Sequence, residues 1–219
     1  MKSTNTDKSK KIAQILFDIG AVTFSRNRPF KFDSGILSPV YVDNRILISY
    51  PKEREIVINA LISKIKSKVG AVDVIAGVAT AGIPHAAWIA QKLNLPMVFV
   101  RSKPKEHGKG NQIEGKIKKG QRVLIVEDLI STAGSSVRVI DAIRKLEGVV
   151  KDEVAIYTHN LKEAEKNLEN ANVKLHYLTD TKTAAEVAKN EGFLKREQLA
   201  AILYWVKDPK SWAKKMGYE

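Results

Sequence analysis

The chain has 219 residues, 44% of them hydrophobic, a formal net charge of +13 and no cysteine. That is length and apolar content enough for a folded core, and it excludes disulfides and thiolate metal sites. No apolar run approaches the ~20 residues of a membrane helix, the polar stretch Met1–Lys8 gives no sign of a signal peptide, and the four histidines lack metal-ligand spacing. A cytoplasmic protein without a membrane partner is expected. The charge is compatible with nucleic acid, but the basic residues are scattered, as with Lys64, Lys66 and Lys68 on one helical stretch. A solvated basic surface and a strongly anionic small substrate are the two other readings.

In chain order, the spacing of Ile12, Ile15, Leu16 and Ile19 predicts a helix over about Lys8–Ile19, ended by Gly20. From Val22 to Ile48 the pattern is β-like, broken at Ser34-Gly35 and Ser38-Pro39. Pro51 opens a long helix with a stripe of Ile58, Leu61, Ile62, Ile65 and Val69. Strands and helices then alternate: Val74–Val78, Ile83–Leu93, Met97–Val100, a long loop Arg101–Arg122, Val123–Val126, a helix ending near Leu146, Val154–Tyr157, Lys162–Glu169, Val173–Leu178 and Ala184–Lys189. A last helix carries Leu199, Ile202, Leu203 and Val206. Alternation with near-continuous apolar strands predicts an α/β fold, a Rossmann-like parallel sheet flanked by helices. The whole, residues 1–219, reads as a single domain, with the N-terminal helix and the region up to residue 50 as a subdivision within it. Ligands of such sheets bind beyond the C-terminal ends of the strands.

The run Val123-Leu124-Ile125-Val126-Glu127-Asp128-Leu129-Ile130-Ser131-Thr132-Ala133-Gly134-Ser135-Ser136 is the most informative. A buried strand leads to two carboxylates, then to a hydroxyl-rich turn and a helix N-terminus. The amides of such a turn and the positive helix end suit a phosphate, and the carboxylates suit hydroxyl groups or a metal. A plain strand-to-helix turn capped by Ser135 is the bland alternative. Gly77-Val78-Ala79-Thr80-Ala81-Gly82-Ile83-Pro84 likewise follows a strand and opens a helix, as a tight turn or a backbone nest for a diphosphate. In the long loop, Arg101-Ser102-Lys103-Pro104-Lys105-Glu106-His107-Gly108 gathers four basic residues, which suits a developing charge on a leaving group.

The long run resembles the phosphoribosyl-diphosphate (PRPP) motif of type I phosphoribosyltransferases. Arg-x-x-x-Lys-x-His-Gly and the following Gly110–Gly115 are similar to the catalytic loop of the orotate phosphoribosyltransferases. Ser34-Gly35-x-x-Ser38-Pro39-x-Tyr41 resembles their N-terminal hood. The resemblance, from the hood through Leu194, implies transfer of 5-phosphoribosyl from PRPP to orotate, giving orotidine 5′-phosphate and pyrophosphate in pyrimidine (UMP) synthesis. It implies Mg2+ carried by the substrate near Glu127 and Asp128 rather than held by a direct ligand set, and a homodimer whose catalytic loops cross to the partner's site.

It further implies catalytic roles for Lys105, Arg101 and His107. PRPP contacts fall to Glu127, Asp128, Leu129, Ile130, Ser131, Thr132, Ala133, Gly134 and Ser135, with Thr80, Ala81, Gly82 and Lys103. Orotate contacts fall to Ser131, Ser34, Tyr41 and Arg45. Ala81 stands where some members carry a PRPP-contacting lysine, and a non-proline cis peptide is common in that loop. Asp33 replaces a lysine that reaches orotate in some members, so Arg45 is the compensating cation proposed for the carboxylate. An arginine that ends the following strand in some members is replaced by Tyr157-Thr158-His159. His85 reads as structural. Two alternatives stay open: a purine phosphoribosyltransferase, or a PRPP-sensing regulator on the same fold. Nucleic acid is not the expected partner.

Overall fold

The computed structural model describes residues 5–25, 28–31, 37–101 and 112–218. Ten strands and eight α-helices follow one another among these residues. A long helix α1 (Asn5–Asp18) ends where Gly20 takes a positive φ of 75°. Four short strands follow: β1 (Val22–Phe24), β2 (Phe30–Lys31), β3 (Leu37–Ser38) and β4 (Val40–Val42). β1 pairs with β4 and β2 with β3.

The β-like pattern expected to run on to Ile48 stops at Val42. Asp43 accepts from the Arg45 amide and starts a 3-10 helix over Asn44–Ser49. A side-chain oxygen that takes an orphan amide in this way favours a helical turn over a strand. Pro51 does open a helix, α2 (Pro51–Lys64), which continues through a π-helical turn over Ile65–Val69.

The central sheet has six strands in the order β10-β9-β8-β5-β6-β7. They are β5 (Val74–Val78), β6 (Met97–Val100), β7 (Ile113–Glu114), β8 (Val123–Ile130), β9 (Asp152–Thr158) and β10 (Lys174–Asp180). All pairings are parallel except β6 with β7. β7 interrupts the stretch expected as one continuous loop, its two residues pairing back onto Phe99 and Val100.

The crossover helices are α3 (Gly82–Leu93), α4 (Gly134–Lys145), α5 (Lys162–Asn170) and α6 (Thr181–Asn190). α7 (Arg196–Lys207) matches the expected last helix. Beyond it Asp208 caps a further helix, α8 (Pro209–Lys215), which the sequence reading did not include. Its short apolar content, Trp212 and Ala213, was too little to show a period, yet both are buried.

Successive strand residues enter opposite layers. Ile75, Leu124, Val126, Val154 and Ile156 pack with α1, α2, α3, α6, α7 and α8. Val74, Ala76, Val78, Val123, Ile125 and Ala155 pack with α4 and α5. Strands buried on both faces explain why the sequence shows continuous apolar runs rather than alternation.

Candidate active site

β5 and β8 are adjacent and parallel, so their C-terminal ends present two turns side by side. The strand bearing the acidic pair is longer than Val123–Val126. It runs to Ile130 because β9 stays paired with it, Leu129 opposite Tyr157 and Ile130 opposite Thr158. Glu127 and Asp128 therefore sit within a strand and are held more firmly than in a turn. Ile130 is buried in one core layer and Leu129 packs against the other, so what these two can offer a ligand is backbone.

Glu127 is 5% exposed and its Oε1 accepts from the Asp128 amide at 3.0 Å. Burial, and next the Asp128 charge beside it, hold the Glu127 carboxyl well above the usual carboxylate range. Burial raises Asp128 as well, partly offset by hydrogen bonds from Glu127 and the Leu129 amide. Two neighbouring acids that burial keeps from ionising together are a setting that welcomes positive charge.

The turn after β8 carries Ser131, Thr132 and Ala133 into α4, with Ala133 in the left-handed region at φ 61°. Among the described residues the amides of Thr132, Ala133, Gly134, Ser135 and Ser136 donate no internal hydrogen bond. They stand at a helix N-terminus, where unsatisfied donors and the helix dipole favour an anion. The turn is fixed through its other atoms. Asn167 of α5 donates to the Thr132 carbonyl at 2.9 Å. The His159 amide, at 2.9 Å, and the Thr158 hydroxyl both donate to the Ile130 carbonyl. Asn44, at the start of the 3-10 helix, donates to the Asp128 carbonyl at 2.8 Å. Arg138, one turn into α4, brings Nη1 within 3.6 Å of where a Cβ on Gly134 would stand.

The β5 turn is built by close approach. The Ala79–Thr80 peptide is cis, as the resemblance implied. Thr80 is exposed, Ala81 leads into α3, and Gly82 is buried. A Cβ on Gly82 would stand 2.5 Å from the Val126 carbonyl oxygen and 3.4 Å from Glu127 Oε1. Glycine is required there because the positive end of α3 lies against the acidic pair.

Arg101 follows β6 on the same edge. Its amide donates to the Gln112 carbonyl at 2.9 Å and its Nε lies 3.3 Å from Glu114 Oε1. Lys103, Lys105 and His107 lie outside the described residues, as does Ser34. Tyr41 is 40% exposed, with its ring 5.6 Å from that of Phe30. Ser38 is buried and donates to the Val40 carbonyl, while Trp205 of α7 donates to the Leu37 carbonyl at 3.0 Å. Arg45 is exposed and holds Asp43 by two points, 2.6 and 2.8 Å, which keeps the Asp43 carboxyl below its usual range. Any carboxylate ligand would have to compete with that pair. Tyr157, Thr158 and His159 are all buried, and the tyrosine and histidine both meet the Thr181 hydroxyl.

His85 is fully buried, edge-on to Trp88, and burial holds it near 4, in keeping with its structural reading. Four residues that the sequence reading did not single out bear on the site: Asn44, Arg138, Glu153 and Asn167. Arg138 follows Gly134 by one helical turn, a spacing visible in sequence. The contacts of the two asparagines span 84 and 35 positions, and nothing local signals them.

Among known proteins, the phosphoribosyl transferase domain family matches residues 49–187. The orotate phosphoribosyltransferase of Listeria innocua is 48% identical over 205 residues, covering 94% of this chain and 98% of its own. That of Coxiella burnetii is 47% identical over 206 residues, covering 94% and 99%. The crystal structure of orotate phosphoribosyltransferase from Aeropyrum pernix superposes with a TM-score of 0.71 at 28% identity, covering 84% of this chain and 99% of that one. A mostly parallel sheet ending in an anion-ready turn beside two buried acids agrees with these likenesses, and the chain belongs to the phosphoribosyltransferase family, among the orotate phosphoribosyltransferases.

Proposed function

We propose that this chain transfers the 5-phosphoribosyl group of PRPP to orotate, releasing pyrophosphate and giving orotidine 5′-phosphate for UMP synthesis. The observation that carries the reading is the row of undonated amides from Thr132 to Ser136, one strand-end away from the acidic pair. The 5′-phosphate takes those amides with the Thr132 and Ser135 hydroxyls, and Arg138 adds a cation. Glu127 and Asp128 accept from the ribose hydroxyls. As the C1–O bond breaks and the sugar gains positive charge, that charge favours the ionised form of both acids, so their interaction strengthens toward the transition state. Thr80, Ala81 and Gly82 offer the diphosphate a hydroxyl and backbone. Lys103, Lys105 and His107, with Arg101 at the root of their loop, neutralise departing pyrophosphate, and no protein nucleophile is required.

Among the described residues no three His, Asp or Glu side chains converge as a metal-ligand set. The two adjacent carboxylates would suit a hard cation that PRPP itself carries beside them. Mg2+ bound in that way supplies Lewis acidity at the diphosphate. Ser131, Ser34, Tyr41 and Arg45 face orotate in this reading, and the loop closes over the site of a second copy in a homodimer. We read residues 1–219 as one domain with the hood inside it. The shared core of Val22, Phe24, Val40 and Leu47 with Ile75 and Leu124 supports that. No described helix is long and apolar enough to cross a membrane, and a cytoplasmic location is part of the proposal.

Incubation with PRPP, Mg2+ and each of orotate, adenine and hypoxanthine tests the assignment. Orotate alone is expected to be consumed, and consumption of a purine would move the reading to the purine enzymes. Lys105→Ala should lose turnover far more than PRPP affinity, and unchanged turnover would remove its role. An unchanged orotate KM in Arg45→Ala would do the same for Arg45.

A further inference from the structure

Beneath the phosphate turn lies an acid that the transfer reaction does not use. Glu153, the second residue of β9, is fully buried. In the sheet register it stands opposite Ile125 of β8 and Leu175 of β10, so its side chain enters the apolar layer under α4. Its Oε1 accepts from the Ser136 hydroxyl at 2.8 Å, and its Oε2 has no hydrogen-bond partner among the described residues. Ser136 is also fully buried and sits in the first turn of α4, next to Ser135.

One hydroxyl cannot satisfy a carboxylate, which has about four acceptor sites, and an isolated buried charge is strongly disfavoured. The neutral acid fits this place, and the charged form does not. Among the described residues no cation acts on Glu153 to change that. Glu127, two positions further along the neighbouring strand on the same face, is itself acidic, and Glu153 acts on it electrostatically. Asp152, the previous residue of β9, alternates to the other face and pairs with His176 at 2.7 Å. Arg144 of α4 is occupied by the Val150 and Ala171 carbonyls. Burial pushes the Glu153 carboxyl up to about 7, with the Ser136 hydroxyl lowering it only in part.

We propose that Glu153 is a positioning residue for the phosphate turn: as a neutral acid it holds Ser136 and the first turn of α4 in place, and as a carboxylate it weakens the grip of that turn on a phosphorylated ligand. The second effect follows from placing a negative charge in a low-dielectric layer directly under the amides that take the phosphate. By linkage, a bound phosphate dianion in turn keeps Glu153 protonated to higher pH. The inference rests on the phosphate-turn reading above and adds a built-in pH response to it.

The test compares the KM for PRPP and the kcat of the wild type and of Glu153→Gln from pH 6 to 9, with orotate saturating. Glutamine keeps an acceptor for Ser136 and cannot ionise. The wild-type KM should rise about fivefold to tenfold more than that of the variant as pH increases, the size expected for roughly 1 kcal/mol of added repulsion, with kcat profiles that stay parallel. Superimposable KM profiles would overturn the proposal. Should the variant fail to fold, carbon-13 NMR of wild type labelled in its glutamate side chains reads the same group, assigned to Glu153 through its own bonds. A carboxyl that titrates near neutral pH, and moves upward when ribose 5-phosphate is added, supports the proposal. One that titrates in the ordinary acidic range sinks it. Backbone amide shifts distinguish failure of the Glu153 role from failure of the phosphate turn itself. If ribose 5-phosphate moves the amides of Thr132–Ser136 and the Glu153-dependent slope is missing, this inference alone fails. If those amides do not move, the phosphate-turn reading fails as well.

Discussion

The turns after β5 and β8 lie side by side at the same edge of the sheet, yet they are held by opposite means. The β8 turn and the strand end that leads into it are fastened by side chains from distant segments, Asn44, Thr158 and Asn167, which donate to the Asp128, Ile130 and Thr132 carbonyls. Its own amides, at the N-terminus of α4, donate no internal bond among the described residues and are left for a ligand. The β5 turn has few such fastenings; the Ala79 amide donates to the Val100 carbonyl at 2.9 Å, and Gly82 is pressed against β8. One site is positioned by polar bonds that can be removed singly, the other by a backbone contact with no room to spare. The lesson is that preorganisation of neighbouring turns can rest on directional bonds in one and on steric closeness in the other.

The sharpest way to break this contrast is Gly82→Ala. Its Cβ would meet a backbone oxygen at 2.5 Å, which neither strand nor helix can yield cheaply. A loss of about 3 kcal/mol or more is expected, read as a lowered midpoint in urea unfolding. Retention of wild-type stability would show that α3 is free to move away from β8.

Glu153→Gln should give an effect of similar size that depends on pH. The folded-state value of about 7 lies above the ordinary 4.5. The wild type is therefore without penalty below about pH 4.5, loses stability as pH rises from there to about 7, and stays penalised above. The variant should exceed the wild type by about 3 kcal/mol at pH 8 relative to pH 4.5. A difference independent of pH would mean that the acid is not buried neutral.

On the β8 side, Asn167→Ala removes one fastening at a cost of about 1 kcal/mol. The PRPP KM should rise several-fold while the orotate KM holds. Equal changes in both would argue that α5 supports the whole site rather than this turn. The smallest effect is expected from Thr80→Val. Its side chain is exposed, so stability should move by less than about 0.5 kcal/mol. Only binding of the diphosphate should suffer, measured by the affinity for inorganic pyrophosphate.

Legibility in the sequence followed the range of the interactions involved. β5 and β6 are bounded where their apolar runs are, because a strand buried on both faces writes its length directly into composition. β8 extends four residues past its expected end at Val126, since Glu127 and Asp128 look like a strand end, while pairing with β9 carries the strand past them. Asn44–Ser49 passed for β structure because Ile46, Leu47 and Ile48 are good strand residues. The Asp43 cap and the bond from Asn44 to Asp128 override that preference. Arg45, the cation expected to meet the orotate carboxylate, pairs at two points with Asp43, two residues away, a local competitor that the sequence did carry.

What the sequence determined by itself is the alternation of buried strands and amphipathic helices and the chemistry of the motif turn. These depend on neighbours within a few residues, where hydrophobic period, glycine and hydroxyl placement act. The tertiary structure alone decided which carbonyls of the turn are taken and which amides remain. It also decided that Gly82 has no space for a side chain, and that Glu153 is an acid shut in beneath the turn. Each of these is a contact or a solvent exclusion between segments tens of residues apart, and burial and desolvation have no value until those segments have met.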